Sequence, residues 1–337
     1  MEPPKDKTLL LMRDGNVFAV RGYATGDEID VALKYYPSDS DDPGGSFVFR
    51  DRRYAWNRKP LDLGFLEEHP QYYSPGSTTL LAANLSQVSE IFDPFAGYQR
   101  IAKKASKDEM EATLIEVGDI LESHGINEAS LGVTGTVLLG THSNEYSDID
   151  LVVGGSGNFR IAREAIGKDG RFSDLLEEEW RRYFERYGIG ERYSTDFGQF
   201  LIAARGKGDR AKFRDRGISV FNVRNDDERR PREKVISLWD VEVAGRITSD
   251  DESSFYPARY DVEVHRSTAP EHAVREVVAI GREYYLEGRP GDAFMCSGRL
   301  QLVVPEQGEK HFRVEVGYVG GDLKPHGTLK IAQDGFP

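Results

Sequence analysis

Two carboxylates spaced two residues apart at the head of an apolar run, Asp148-Ile149-Asp150-Leu151-Val152-Val153, constrain this chain more than any other stretch. The run is aliphatic and β-branched, which predicts a strand, and in a strand residues i and i+2 share a face. Asp148 and Asp150 are therefore expected side by side. Two ionised carboxylates that close repel each other unless a divalent cation neutralises them, and oxygen ligands of this kind suit Mg²⁺. Upstream, Gly135-Thr136-Val137-Leu138-Leu139-Gly140-Thr141 follows a predicted short strand at Ser130 to Thr134. Gly135 is expected to open a short helix whose backbone N–H groups and hydroxyl face a phosphate. Eleven residues, Val137 to Ser147, separate Gly135-Thr136 from Asp148.

The passage is delivered by the clearest helix of the sequence. Ser106 and Glu109 fit the N-cap and third positions of a capping box, Gly125 is the stop signal, and Met110, Leu114, Val117 and Leu121 form one apolar stripe. Before it, Leu9 to Met12, Asn16 to Tyr23, Ile29 to Tyr36 and Phe47 to Tyr54 read as strands, divided by Arg13-Asp14-Gly15, by Thr25-Gly26-Asp27 and by the loop Asp39 to Gly45. Pro60 to Gly76 has no clean period. After it, Phe172 to Tyr187 reads as a helix and Ile218 to Val223 as a strand. From about Pro231, five β-rich runs (Val235 to Ile247, Tyr256 to His265, Val274 to Tyr285, Ala293 to Val304, Phe312 to Val319) predict a small antiparallel barrel or sandwich.

The motif resembles that of the DNA polymerase beta-like nucleotidyltransferases: Gly-Ser, often a second Gly, then a polar turn ending in Ser-Asp-x-Asp before an apolar strand. Here it stands as Gly135-Thr136, Gly140 and Ser147-Asp148-Ile149-Asp150-Leu151-Val152-Val153, with Thr136 keeping the hydroxyl of the usual Ser. Val133-Thr134-Gly135-Thr136-Val137-Leu138-Leu139-Gly140 is also similar to a group of archaeal proteins known only as predicted nucleotidyltransferases. The resemblance implies a mixed sheet with flanking helices over residues 105–231. It also implies Asp148 and Asp150 as catalytic residues and ligands of two Mg²⁺ ions (Mn²⁺ as a substitute), with Gly135, Thr136, Gly140 and Ser147 holding a nucleoside triphosphate. The implied reaction is transfer of a nucleoside monophosphate, from ATP or another nucleoside triphosphate, to a hydroxyl. The acceptor is left open between an RNA end, a protein hydroxyl and a small molecule. The family usually adds a third carboxylate on a neighbouring strand, where Ile218 to Arg224 offers Asn222; Asp226, Asp240, Glu242, Asp261 and Glu263 are the other acids in reach. Asn222 is the support for the alternative, a catalytically lapsed nucleotidyltransferase that binds nucleotide or RNA.

The expected whole is a multidomain α+β protein: an N-terminal β-rich region at 1–104, the nucleotidyltransferase domain at 105–231, and a C-terminal β-barrel or sandwich at 232–337. A length of 337 residues suits two or three domains. A net charge of −13 disfavours coating nucleic acid through bulk charge. One segment, Ile202 to Lys234, carries eleven basic residues against six acids, and reads as a solvated mixed face or an anion platform. The single cysteine, Cys296, excludes an intramolecular disulfide and reads as an inert buried thiol, and a cytoplasmic, membrane-free location is expected. His142, between Gly140 and Asp148, reads first as facing water, with donation to the triphosphate as its functional alternative. The aromatics Tyr35, Tyr36, Phe47, Phe49, Tyr54 and Trp56 interleave with Arg50, Arg52, Arg53, Arg58 and Lys59, as on a strand pair with one core face or on a stacking surface for single-stranded nucleic acid. No zinc-hydrolase, Walker, dinucleotide-binding or nucleophile-elbow motif is present.

Overall fold

The computed structural model describes residues 3–22, 28–39, 45–57, 63–74, 79–145, 147–193, 195–228, 230, 233–319 and 325–332. The turn Thr25-Gly26-Asp27, residues 40–44 of the expected surface loop, Arg58, Lys59, Arg229 and Arg232 lie outside them. The chain is a mixed α+β protein that divides into two compact units: Met1–Trp180 with Gly208–Glu228, and Arg181–Lys207 with Arg229–Pro337.

The first unit opens with β1 (Leu9–Met12), β2 (Val17–Val20), β3 (Glu28–Pro37), β4 (Ser46–Phe49) and β5 (Arg52–Trp56). The helix α1 (Leu63–Glu68) and the strands β6 (Ala82–Asn84) and β7 (Val88–Phe92) follow. They form one sheet in the order β4-β5-β3-β2-β1-β7, with β6 paired to β3. The expected single strand at Phe47 to Tyr54 is a hairpin, because Arg50 and Asp51 take left-handed φ values of 52° and 61° and reverse the chain. The β3 alternation, with Ile29, Val31 and Leu33 buried, turns one face onto Leu10, Met12, Phe18, Val20 and Leu81.

A second sheet of the same unit carries the Asp-x-Asp segment. After α2 (Pro94–Ala102) and α3 (Glu109–Ser123) come β8 (Leu131–Val133), α4 (Gly135–Leu139), β9 (Ile149–Gly154), α5 (Ser156–Lys168) and β10 (Phe172–Ser173). The helices α6 (Glu177–Arg186), α7 (Ile189–Tyr193) and α8 (Phe197–Lys207) then lead to β11 (Arg210–Phe213) and β12 (Arg216–Val223). The order is β10-β11-β12-β9-β8, with β9 and β12 parallel and the other pairs antiparallel. Met110, Leu114, Val117 and Leu121 of α3 are fully buried, as their spacing requires. The cap differs from expectation: Asp108, not Ser106, accepts the Glu111 N–H at 2.9 Å, and the helix starts at Glu109. Asp is as good an N-cap as Ser, and it stands two residues closer to the apolar stripe. The helix expected over Phe172 to Tyr187 begins only at Glu177, since Phe172 and Ser173 pair with Phe213 and Lys212.

The second unit is built on β13 (Glu233–Ser249), β14 (Ala258–Ser267), β15 (Val274–Ala279), β16 (Ala293–Pro305) and β17 (His311–Val316). The short pair β18 (Tyr318–Val319) and β19 (Pro325–His326) follows, then β20 (Thr328–Ala332) on the edge of β16. The pairing order β13-β14-β15-β17-β16 returns to β13, which closes a five-stranded barrel, with only β15 and β17 parallel. Its interior is Val241, Val243, Tyr260, Val277, Phe294, Leu300 and Val314. Cys296 lies in that core, where burial holds its thiol well above the usual range and makes it inert. Arg313, buried on the face of β17 opposite Val314, donates to Gln301 at 2.7 Å and Glu233 at 3.1 Å, which satisfies a charge that would otherwise be costly to bury.

Candidate functional site

The site forms where β8, β9 and β12 begin or end beside α4. In β9 the residues Ile149, Leu151 and Val153 point into the core at 0% exposure, which leaves Asp150 half-buried on the opposite face and Asp148 exposed just before the strand. The two carboxylates thus share a face, as the i, i+2 spacing predicts. Thr134 N–H donates to the Asp150 carbonyl at 2.9 Å, which locks the end of β8 to this point of β9.

Gly135 is held tightly here. Its φ is +72°, and a Cβ on it would stand 3.1 Å from Asp150 Oδ2 and 3.8 Å from Tyr35 Oη. The left-handed backbone and the carboxylate beside it both call for glycine. A second glycine, Gly217 at the start of β12, gives Asp148 its room: a Cβ there would meet Asp148 Oδ1 at 2.7 Å. Thr136 Oγ1 and Ser147 Oγ lie 3.3 Å apart, and Ser147 Oγ accepts the Ser143 N–H at 3.0 Å. Gly140, with φ +70°, ends α4 and turns the chain into the loop that Ser147 closes. Gly135, Thr136, Ser147, Asp148 and Asp150 are therefore brought into one locality, with Gly140 at its outer edge. The Asp150 carboxylate has no hydrogen bond or ion pair among the described residues, and its half-buried oxygens suit a hard cation.

The parallel register places the residues of β12 relative to the aspartates. Ile218 pairs with Ile149, Ser219 with Asp150 and Asn222 with Val153. Paired residues of neighbouring strands share a face, so Ser219 and Gly217 flank the aspartates, whereas Asn222 points to the buried side near the far end of the strand. Asn222, 4% exposed, is thus a core residue on the face of β12 away from Asp150. Asp226 binds Lys5 at 3.5 Å, and Asp240 binds Arg299 at 2.7 Å within the second unit.

Several residues that sequence reasoning missed stand around the aspartates. Lys7, on the segment before β1, accepts a hydrogen bond from Thr134 Oγ1 on its carbonyl at 3.0 Å. Its buried ammonium pairs with Asp6 at 2.7 Å and lies 5.5 Å from the Phe221 ring. Tyr35 comes from the N-terminal sheet. Arg216 reaches the Ser147 carbonyl at 3.5 Å and Glu109 at 3.6 Å. Lys7 and Tyr35 are more than ninety residues from the motif, and no local pattern ties them to it; Arg216 could have been found only from the β9–β12 pairing.

The other expectations resolve in terms of packing. His142 does not face water: its side chain is 7% exposed, with Nε2 2.8 Å from Asp108 Oδ2. Burial pushes the Asp108 carboxyl upward, but the hydrogen bonds from Glu111 N–H and His142 outweigh it and hold the group below the usual carboxylate range. The aromatic patch is largely internal: Tyr35, Phe49 and Tyr54 are buried, with Tyr35 edge-on to Phe47 at 4.9 Å and Phe49 to Phe92 at 6.0 Å. The basic segment divides between the two units, and many of its cations meet internal acids. Lys212 pairs with Glu179, Arg214 with Glu116, and Arg230 with Glu233, Glu252 and Glu276. No helix among the described residues is long and apolar enough to cross a membrane.

The chain is 26% identical over 204 residues to an uncharacterized protein, MJ1086, of Methanocaldococcus jannaschii, a match that covers 59% of this chain and 58% of that protein. It therefore spans little more than half the length of that relative. No family model and no solved structure matches it.

Proposed function

We propose that the first unit is a Mg²⁺-dependent nucleotidyltransferase that moves a nucleoside monophosphate from a nucleoside triphosphate to a hydroxyl. The reading is carried by one observation: the Asp150 carboxylate lies against the left-handed Gly135, beside Asp148 on one face of β9. The β8–β9–β12 arrangement with the helices around it is consistent with the mixed sheet that the motif's resemblance implies.

Asp148 and Asp150 are the residues that would hold the metal. Mg²⁺ bound there would neutralise phosphate charge and favour departure of pyrophosphate. The chain's own residues do the positioning. Gly135 leaves space for a phosphate to approach Asp150 closely, Thr136 and Ser147 offer hydroxyls at the same rim, and Arg216 places a cation beside Ser147. Such positioning accounts for much of catalysis in phosphoryl chemistry. RNA, a protein hydroxyl or a small molecule remains the acceptor class, and the cytoplasm is the proposed location.

Ser219 and Gly217, standing where a third carboxylate would share the face, favour a second reading: a lapsed enzyme that still binds nucleotide. Purified protein incubated with α-³²P-labelled ATP, GTP, CTP and UTP, Mg²⁺ or Mn²⁺, and total cellular RNA separates the two. Transfer is expected to label an RNA, protein or small-molecule fraction and to vanish in Asp148→Ala/Asp150→Ala. Binding that depends on the aspartates but yields no label supports the lapsed form. Neither binding nor label removes both readings.

A further inference from the structure

We propose that the cavity between the N-terminal sheet and α1 is a binding site for a nucleoside monophosphate, separate from the aspartates of β9. The cavity has a volume of about 370 Å³ and is lined by Asn16, Leu33, Tyr36, Pro37 and Phe65, with Arg52 at its mouth. The fold sets it across the sheet from Asp150. The β2–β3 register shifts between Val17 and Phe18, so Tyr36 turns to the face of Leu33, while its neighbour Tyr35 turns the other way, toward Gly135.

Asn16 carries the proposal. It is 2% exposed and lines the cavity, and its carboxamide makes no hydrogen bond among the described residues. A buried amide with neither its donor nor its acceptor engaged is rare and costly. Facing a cavity, it offers a donor and an acceptor side by side, the pattern with which Asn pairs with the edge of a nucleobase. Arg52 is the second group. It is exposed, and its guanidinium has one hydrogen bond, to the Asp14 carbonyl at 3.4 Å, and no ion pair among the described residues. The acids of the lining leave that charge available. Asp14 already accepts from the Tyr72 hydroxyl at 2.8 Å and the Asn16 N–H at 3.0 Å, and lies 3.7 Å from His69 Nδ1, while Glu68 is exposed on α1. Depth then sorts the ligand. A neutral hydrogen-bonding edge belongs at the floor with Asn16, an apolar ring against Leu33, Tyr36 and Phe65, and an anionic arm at the wet mouth. A base carrying a phosphate matches that order, and phosphate suits the guanidinium fork. The site shares no residue with the aspartates of β9 and does not rest on their being catalytic.

The test uses the full-length chain carrying Asp148→Ala/Asp150→Ala, in EDTA, so that failure of the proposed catalytic site is scored separately. Calorimetric titration with AMP, GMP, CMP and UMP is expected to show one equivalent of at least one nucleotide bound. Its affinity should exceed that of its nucleoside and of inorganic phosphate by about tenfold or more, since neither of these engages both Asn16 and Arg52. Asn16→Leu, similar in shape, should weaken the nucleotide by about tenfold or more. It should leave the thermal midpoint unchanged or higher, because no side-chain hydrogen bond of the fold is lost. Arg52→Gln should weaken the nucleotide by about tenfold and leave the weaker nucleoside binding as it was. Circular dichroism confirms that each variant is folded; if Asn16→Leu is not, Arg52→Gln, at an exposed position, decides. No binding of any of these nucleotides at about 1 mM, binding no tighter than phosphate alone, or affinity unchanged in the folded variants overturns the proposal.

Discussion

At the scale of single residues, Gly135 and Ser219 test the proposed site from opposite directions. Gly135→Ala puts a Cβ 3.1 Å from Asp150 Oδ2 on a backbone with φ +72°, so a loss of about 1–2 kcal/mol is expected in urea unfolding, with weaker Mg²⁺ binding. Ser219→Asp places a third carboxylate in register beside Asp150. We expect Mg²⁺ affinity to rise by about tenfold or more, read by calorimetry; unchanged affinity would show that β12 does not face the metal. Asp148, Asp150, Gly135 and Thr136 were legible in the sequence because alternation on a strand and the turn before it are local properties. The misplacement of Asn222 has the opposite cause. A strand's face can be read from its own pattern, but which residue of β12 meets Asp150 depends on register, which no local signal carries.

At the scale of elements, the α3 stripe was readable because four buried positions at intervals of three and four admit one helical face. Leu114→Ala is expected to cost about 2–5 kcal/mol, measured by denaturant midpoint, since Leu114 is fully buried. The segment between β15 and β16 holds a less visible feature. Glu287 is enclosed, and burial pushes its carboxyl up to about 7, with Glu283 adding to the rise and Lys207 opposing it. Between the unfolded value of 4.5 and about 7 the folded state binds the extra proton. This group's contribution is therefore full at low pH and lost as pH rises through about 7. Relative to Glu287→Gln, the wild-type unfolding free energy should fall by on the order of 1–3 kcal/mol from pH 5 to pH 8, measured by urea titration at each pH.

At the scale of the whole molecule, the chain is less linear than its sequence suggests. The helices α6 to α8 interrupt the path from α5 to β11, and residues 181–207 cluster with the C-terminal barrel. Tyr193 packs edge-on to Tyr284 at 5.3 Å, and Lys207 donates to the Glu283 carbonyl. A fragment of 232–337 lacks these partners and is expected to melt several degrees below the intact second unit, as followed by circular dichroism. By itself the sequence determined the Asp-x-Asp strand, the glycine turn before it, the α3 stripe and the five strands near the C-terminus. Each rests on spacings of a few residues that backbone geometry converts directly into a face. Only the tertiary structure decided that β13 to β17 close into a barrel, that Gly217 and Ser219 rather than Asn222 flank the aspartates, and that Lys7 and Tyr35 border them. Those outcomes depend on strand register and on packing between segments far apart in the chain, which become defined only when the whole core forms.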